Sequence, residues 1–479
     1  MSGRVGRTAV FYFATQVGST AAGFLATWYI NVVLGAAVFG EFSTAIALMF
    51  WLNVPASAIG EALKKRASEG QEPGAYLAVG HLLNLAVHTV LVGGLVAFRE
   101  QVNIFVGADV AVLFAALVGA RAVFDVTVSS LRGYKQVGTS GAVKTFERAL
   151  RSGVHIGALF FLGVGVAGLV AGYVSSLLVA TAAGLVLLDG RPARPGREHL
   201  TSVLDYARFA WLGTLKTRAF SWTDVMVMRG LSLSVVGLAA VSKSQIGVYK
   251  VSWTAASVLA LASMGIKETL FPEFSDLAAQ GDYDRVHHYL TEALTFSGVV
   301  AIPGIFGAIV VGDTVLTVFG PEYATGGTIL VLLVLARLLA AYAGQFLGAI
   351  NATDNPDVAF RVNLAYVVAN VVLNLALVTL FGWYGAAFAT VLSALFSLVA
   401  AGYALSSLIG TPTVPVGELA RQLVASLVMF GVVLGLQAVL PRTLAWTLVV
   451  VGAGAAVYGV ALLAVSAKVR TKAASLAPV

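Results

Sequence analysis

The chain contains no cysteine among its 479 residues, and charged residues make up only 11% of it. The missing cysteines exclude disulfides, cysteine-ligated metals and thiol chemistry, but they leave the redox compartment open. A soluble protein of this length carries roughly 25% charged residues, whereas this chain is 58% hydrophobic with a mean hydropathy of +0.89. The deficit of charged residues is spread evenly along the chain, and the buried core of a soluble protein does not explain it. It therefore predicts an integral membrane protein.

The sequence also lacks the elements that most membrane enzymes need. It has no phosphate-binding loop of the form G-x-x-x-x-G-K-[ST], so direct use of ATP is not expected. The loops are too short to fold as domains, and the acids predicted outside the membrane are scattered. We therefore expect no enzymatic activity, no cofactor and no metal site.

Fourteen apolar segments are long enough to cross a bilayer as helices, which takes about 20 residues each. The strands of about ten alternating residues that build membrane barrels are absent. The first segment, which starts at Thr8, is too long for the core of a signal peptide and predicts an anchor. The predicted spans are 8–34, 36–59, 77–98, 108–130, 142–163, 165–188, 204–229, 245–266, 289–312, 327–350, 359–381, 383–408, 418–439 and 443–467. The chain is thus predicted to be an all-α integral membrane protein.

The distribution of positive charge predicts the orientation of these spans. If the N-terminus lies in the cytoplasm, the cytoplasmic segments hold 19 of the 30 lysines and arginines and the external segments hold 4. Positive residues concentrate on the cytoplasmic side of membrane proteins. We therefore expect a cell-membrane protein with both termini in the cytoplasm. The net charge of +7 has the same explanation and does not indicate a nucleic-acid partner.

Three pairs of similar segments recur in the same order along the chain. They are LVGAR at 117–121 and LVLAR at 333–337, GVAGLVAGYVSS from Gly165 and GWYGAAFATVLS from Gly382, and GEFST from Gly40 and GVYKVS from Gly247. This recurrence predicts two pseudo-symmetric six-helix bundles, over residues 1–190 and 200–408. An additional helix pair and a cytoplasmic tail follow over 415–479. Each bundle has an even number of helices, so both share one orientation, and repeats of this kind build transporters.

Three stretches resemble a known family. They are SQIGVYKVSWTAASVLALASMGIKETLFPEFSDLAAQGDYDR at 244–285, VFGPEYATG at 318–326 and LFGWYGAAFATVLS at 380–393. With the span count, they resemble the polysaccharide transporter family of the multidrug/oligosaccharidyl-lipid/polysaccharide flippase superfamily. The resemblance implies two bundles around a central cavity and alternating access, which turns a lipid-linked glycan to the outer leaflet. It also implies that helices 1, 2, 7 and 8 line the cavity, where basic residues meet the lipid phosphate.

Two arginines lie near mid-membrane in the predicted spans. Arg121 and Arg337 end the repeated pentapeptides of helices four and ten. An unpaired arginine there costs about 2.5–3.5 kcal/mol on insertion scales, so each is expected to face the bundle interior or a wet cavity. A guanidinium group matches phosphate with two hydrogen bonds, which predicts substrate binding. The alternative is local neutralisation, because Asp125 lies one turn from Arg121.

Three further cations occupy predicted helices seven and eight. Lys216 and Arg218 lie mid-membrane in helix seven, and Lys250 lies in helix eight. Their mutual repulsion would be relieved by a polyprenyl phosphate headgroup, or by Asp224 or Glu41. Lys250 could instead extend to the outer interface. The candidate substrate-binding residues are therefore Arg121, Lys216, Arg218, Lys250 and Arg337, and the candidate ion-coupling or charge-pairing residues are Glu41, Asp125 and Asp224.

Polar side chains also follow helical spacing in predicted helices three and eleven. The stripes are His81, Asn84 and His88, and Asn363, Tyr366, Asn370 and Asn374. Such faces could bind sugar hydroxyls, or they could hydrogen-bond between packed helices. Two histidines with no nearby acid do not make a metal site.

The leading hypothesis is a flippase for an oligosaccharide linked to polyprenyl phosphate or pyrophosphate, acting as a monomer among membrane lipids. An ion gradient, the membrane potential or the lipid's own concentration difference would drive it. The alternatives are a multidrug exporter or a peptidoglycan-precursor flippase of the same superfamily. A membrane glycan polymerase or ligase is the candidate from another class. Predicted helix one carries no acid, and the charges of predicted helix seven are mainly positive. Both features favour an anionic substrate over the cationic drugs that exporters carry.

Overall fold

The computed structural model describes residues 2–233 and 241–476, with backbone alone at 2–22, 209, 212–214, 262, 264, 268, 269, 272 and 473–476. In unbroken order, the first helices are α1 (Ser2–Leu52), α2 (Val54–Ser68), α3 (Pro73–Ala97), α4 (Arg99–Val106), α5 (Ala111–Gly133), α6 (Val137–Leu162), α7 (Val166–Val186) and α8 (Arg197–Leu233). The later helices are α9 (Lys243–Leu259), α10 (Leu261–Ala279), α11 (Tyr283–Leu316), α12 (Gly327–Ala352), α13 (Pro356–Ile409), α14 (Val416–Val439), α15 (Leu444–Val465) and α16 (Ala467–Leu476). Two short 3₁₀ turns, Thr317–Phe319 and Pro321–Gly326, join α11 to α12. Within these ranges there is no strand, so the prediction of an all-α protein is confirmed.

Two of the longest helices are each interrupted by one glycine. Gly35 in α1 has φ 75° and ψ 174°, and Gly382 in α13 has φ 57° and ψ −136°. Only glycine adopts positive φ without a steric cost, so each position breaks the helix where a side chain would resist. These are the positions at which the sequence separates its first from its second predicted span, and its eleventh from its twelfth.

The length and apolar composition of its helices identify the chain as a multi-pass membrane protein. In the described part of the chain, nine helices are long and apolar enough to cross a membrane: α1, α3, α5, α7 and α11 to α15. Large apolar side chains also face outward, such as Phe161, which is 80% exposed, and Tyr403, which is 78% exposed. Such surface is stable against lipid and costly against water. Helices α6, α8 and α10 carry more polar residues, α9 has only 17 residues, and none of these four is among the nine.

The helices form two compact units. Unit one contains Met1–Leu233 and Ser242–Gly247, and unit two contains Val248–Val479. In unit one, α8 packs against α1, α2 and α3. In unit two, α10 to α13 share one apolar core, and α14 and α15 pack on α11 around a second one. Burial of these apolar side chains, together with close helix packing, holds each unit together.

Two glycines allow a close helix contact in unit one. Gly40 of α1 and Gly247 of α9 face each other, and neither has room for a side chain. A Cβ atom on Gly40 would overlap the carbonyl oxygen of Lys243, and one on Gly247 would overlap the carbonyl oxygen of Ala36. Small residues bring membrane helices together in this way, because they let the two backbones touch. These are the two glycines that begin the third repeated pair of segments.

Candidate functional site

A cluster of charged side chains in unit one surrounds the ring of Phe50, and we call it the Phe50 cluster. The guanidinium carbon of Arg218 lies 4.3 Å from the ring centre, and that of Arg121 lies 5.1 Å from it. Arg121 also donates from Nε to Asp125 Oδ2 at 2.9 Å and from Nη1 to Tyr173 Oη at 3.1 Å. Helices α1, α5, α7 and α8 therefore bring two cations, one acid and two aromatic rings together.

The cluster extends along α6 through a second ion pair. Arg151 Nε lies 3.3 Å from Glu147 Oε1, and the Arg151 guanidinium carbon lies 4.2 Å from the ring centre of Tyr173. Ser176 donates to the same Glu147 oxygen at 3.4 Å. The side chain of Glu147 is only 4% exposed, so these partners compensate the cost of burying its carboxylate.

The charges of the Phe50 cluster suit the binding of an anion. Asp125 neutralises Arg121. Arg218 lies on the same ring, and its Nε is buried with no hydrogen-bond partner among the described residues. Two guanidinium groups on one ring repel each other, and a nearby oxyanion would reduce that repulsion while accepting charge-assisted hydrogen bonds. The arrangement can therefore hold a phosphate group.

A second cluster surrounds Trp253 in unit two, and we call it the Trp253 cluster. The guanidinium carbon of Arg337 lies 4.1 Å from the Trp253 ring centre, and Lys250 Nζ lies 5.6 Å from it. Arg337 also donates a short hydrogen bond to Ser257 Oγ. Trp253 and Lys250 are 5% and 9% exposed, so this cluster is deeply buried. Like the Phe50 cluster, it places two cations on one aromatic ring.

Equivalent contacts recur in the two units. Arg121 contacts Phe50 in unit one. In unit two, Arg337 lies 216 positions after Arg121, and it contacts Ser257, which lies 207 positions after Phe50. Ser176 and Ser393 also correspond in the repeat, although their partners do not: Ser176 contacts Glu147, and Ser393 accepts a 3.4 Å hydrogen bond from Asn370. The repeated contacts are consistent with a duplication.

The structure therefore distributes four of the five predicted cations over two clusters. Arg121 and Arg218 belong to the Phe50 cluster, and Lys250 and Arg337 belong to the Trp253 cluster. Lys216 is half-buried on α8. Asp224, also on α8, is 2% exposed. Sequence alone placed Lys216, Arg218 and Lys250 together as one group of cations.

Glu41 interacts with a cation that the sequence analysis did not consider for it. Lys243 Nζ lies 2.5 Å from Glu41 Oε1 and donates to the carbonyl oxygen of Gly107 at 2.7 Å. Arg229 donates from Nε to the carbonyl oxygen of Phe105 at 2.6 Å. Both cations thus bind the C-terminal end of α4, where helix carbonyls lack partners and carry partial negative charge. Arg229 is buried within α8 and is 8% exposed.

The predicted polar stripes form hydrogen bonds inside the protein. His81 Nε2 lies 3.2 Å from Ser130 Oγ on α5, and His88 Nδ1 lies 2.9 Å from the carbonyl oxygen of Asn84. Asn374 donates to the carbonyl oxygen of Asn370 at 3.0 Å. Among the residues that the structure describes, no group of three or more His, Asp or Glu side chains could hold a metal ion.

Sequence reasoning missed several members of the clusters. Glu147 had a signal, because Arg151 lies one turn away in a predicted span. Phe50, Tyr173 and Trp253 had none, since an aromatic residue in an apolar helix usually packs against lipid or core. Only the fold shows that these rings contact arginines.

The chain matches the family described as "Polysaccharide biosynthesis protein" over residues 75–325. It is 30% identical over 479 residues to a Haloferax volcanii protein named "Probable flippase AglR", which covers 99% of this chain and 98% of that protein. It is 26% identical over 436 residues to the "Probable low-salt glycan biosynthesis flippase Agl15" of the same organism, over 90% of this chain and 89% of that protein.

A solved structure shares the fold. The structure titled "Lipid II flippase MurJ, inward closed conformation" superposes with a TM-score of 0.80, over 95% of this chain and 98% of that chain. The two sequences are 14% identical, so the likeness concerns the fold alone.

Proposed function

Because the chain belongs to the polysaccharide biosynthesis protein family, within the multidrug/oligosaccharidyl-lipid/polysaccharide flippase superfamily, we propose that it translocates a lipid-linked oligosaccharide across the cell membrane. The glycan would be attached through a phosphate or pyrophosphate to a polyprenyl lipid. Two relatives carry flippase in their names, and one is named for glycan biosynthesis. The protein acts as a transporter and needs no catalytic group of its own.

One observation supports an anionic substrate above all others. Arg121 and Arg218 share the ring of Phe50, and the Arg218 Nε is buried without a hydrogen-bond partner among the described residues. A buried cation is stable only where an anion or several hydrogen bonds compensate its desolvation. The phosphate of a lipid-linked glycan supplies both, whereas the cation of a typical exported drug would be repelled.

The proposed topology has fourteen spans in two six-helix bundles, with an additional helix pair after them. Both termini lie in the cytoplasm, and the substrate moves from the cytoplasmic to the outer leaflet by alternating access. The glycine interruptions at 35 and 382 support this count, because each splits one long helix into two spans. The repeated contacts of Arg121 and Arg337 support the pseudo-symmetry of the bundles.

Replacement of Arg218 by alanine tests the proposal. We expect the initial rate of translocation of a fluorescent polyprenyl-phosphate glycan in proteoliposomes to fall about 10-fold, because each charge-assisted hydrogen bond contributes roughly 1.5–3 kcal/mol. Arg208→Ala is the matched control, since Arg208 lies on the same helix, is exposed and pairs with Asp205 at 3.5 Å. It is expected to retain the wild-type rate.

The result that contradicts the proposal is specific. If the wild-type protein moves small organic cations but no lipid-linked glycan, the protein is an exporter. If it moves the glycan and Arg218→Ala moves it equally fast, the Phe50 cluster does not bind the phosphate.

A further inference from the structure

A polar cavity in unit two lies outside both clusters. Its volume is about 440 Å³, and it opens beside the first turns of α11 and the connection from α13 to α14. The lining residues are Asp284, His287, His288, Thr291, Thr411 and Thr413. The cavity is open to the surface, so a ligand bound in it would stay partly exposed.

Hydrogen bonds fix the walls of the cavity. His287 Nε2 lies 2.8 Å from the carbonyl oxygen of Ile409, and Thr291 Oγ1 donates to the carbonyl oxygen of Thr413 at 2.9 Å. Gly410, between these two anchors, has φ 90°, which lets the chain turn sharply at the end of α13. Pro412, between Thr411 and Thr413, restricts the backbone further. The cavity is therefore preformed.

The lining is rich in hydrogen-bond acceptors. Asp284 contributes a carboxylate in the first turn of α11. The ring of His287 is fixed by its contact with the carbonyl oxygen of Ile409 and forms part of the wall. Thr411 and Thr413 add hydroxyl groups that can donate or accept. A ligand must therefore supply donors, and a phosphate does not, because the Asp284 carboxylate would repel it.

Neutral polyhydroxyl compounds fit this chemistry best. A sugar has adjacent hydroxyl groups that donate to a carboxylate while they accept from threonine hydroxyls. The threonine methyl groups and the exposed ring of His288 offer apolar surface to the faces of a sugar ring. Together they provide the few polar and apolar groups that orient a carbohydrate.

The position of the cavity suits the glycan part of a lipid-linked substrate. Residues 284–291 begin α11 just where its apolar span begins, and residues 411–413 lie between two spans. The cavity therefore lies at a membrane surface, which is the cytoplasmic one in the proposed topology. A lipid-linked glycan keeps its lipid in the bilayer and its sugars in the adjoining water.

We propose that this cavity binds a sugar residue of the lipid-linked glycan at the cytoplasmic surface. This proposal rests on the proposed function. The 284–291 and 411–413 segments contact the sugar.

Saturation-transfer NMR on the full chain in detergent tests the proposal, with glucose, mannose, galactose and N-acetylglucosamine as probes. We expect at least one sugar to bind the wild type, and Asp284→Asn/Thr411→Val to bind it about 10-fold more weakly. Asp282→Asn is the matched control. Asp282 accepts from the Arg285 backbone N–H as the N-cap of α11, and asparagine caps a helix equally well. It removes a charge from the same helix end outside the cavity.

A second probe separates this proposal from the proposed function. Binding of polyprenyl phosphate without sugar is expected to be lost in Arg218→Ala and retained in Asp284→Asn/Thr411→Val. If the wild type binds no sugar, or binds it as well after the double substitution, the cavity is not a glycan site. If the wild type binds no polyprenyl phosphate, the proposed function fails whatever the sugars do. Thermal unfolding of both variants checks that they fold.

Discussion

Replacing Arg121 and Arg337 together by alanine is expected to lower the translocation rate of a polyprenyl-phosphate glycan by about 100-fold. Each arginine is the cation that ends a repeated pentapeptide, and each lies over an aromatic ring in its own unit. An arginine held in a low-dielectric site by an ion pair or by stacking is already desolvated and oriented, so it can bind a phosphate at little further cost. The measurement is the initial rate in proteoliposomes with matched protein content.

A second variant separates lost binding from lost folding. Arg121→Ala leaves Asp125, whose side chain is 15% exposed, without its ion-pair partner, and an uncompensated buried charge destabilises a protein by about 3–5 kcal/mol. Adding Asp125→Ala removes that carboxylate, so the triple variant is expected to unfold near the wild-type temperature and to remain inactive. Recovery of transport in the triple variant would show that both arginines serve only the fold.

Replacing Gly40 and Gly247 together by alanine is expected to have the largest effect on stability. Each new methyl group would overlap a backbone carbonyl oxygen of the facing helix, and backbone atoms cannot rotate away as a side chain can. Overpacking costs about 1–3 kcal/mol per site, and here the two helices must separate to admit both groups. We expect a loss of several degrees in the unfolding temperature and a lower yield of folded protein.

Gly230→Ala provides the matched control for the glycine contact. Gly230 lies in α8, and a Cβ atom built on it meets nothing within 4 Å. Alanine also favours a helix over glycine by roughly 1 kcal/mol, so this variant is expected to be as stable as the wild type or more stable. Equal unfolding temperatures for the double variant and the wild type would mean that the contact of α1 with α9 is loose.

Membrane class, helical content and family could be predicted from composition and pattern alone. Scarce charge and repeated apolar segments leave helices as the structure in which every backbone group is satisfied within lipid. Gly35 and Gly382, where the structure interrupts two long helices, also lie between consecutive predicted spans. The predicted membership of the flippase superfamily is confirmed by the family match and by two relatives.

The candidate site was only partly predictable. An arginine in an apolar segment is costly to insert into a membrane, so it is expected to have a function or a partner. The sequence alone therefore identified Arg121, Arg218 and Arg337 as candidates. Their partners did not stand out, since Phe50 and Trp253 are unremarkable in apolar helices. The spacing of one helical turn identified Asp125 as a partner of Arg121. It could not find Lys243 as the partner of Glu41, 202 positions away.

The sequence by itself determined that the chain is an all-α, multi-pass membrane protein, because transfer of each side chain into lipid depends mainly on its own polarity. The tertiary structure decided which charges meet, because contacts between distant helices depend on how all of them pack. It gathered four predicted cations on two aromatic rings, directed Lys243 to Glu41 and the end of α4, and formed a polar cavity from segments 120 residues apart. Charge interactions depend on distance and burial, and only the folded chain sets these.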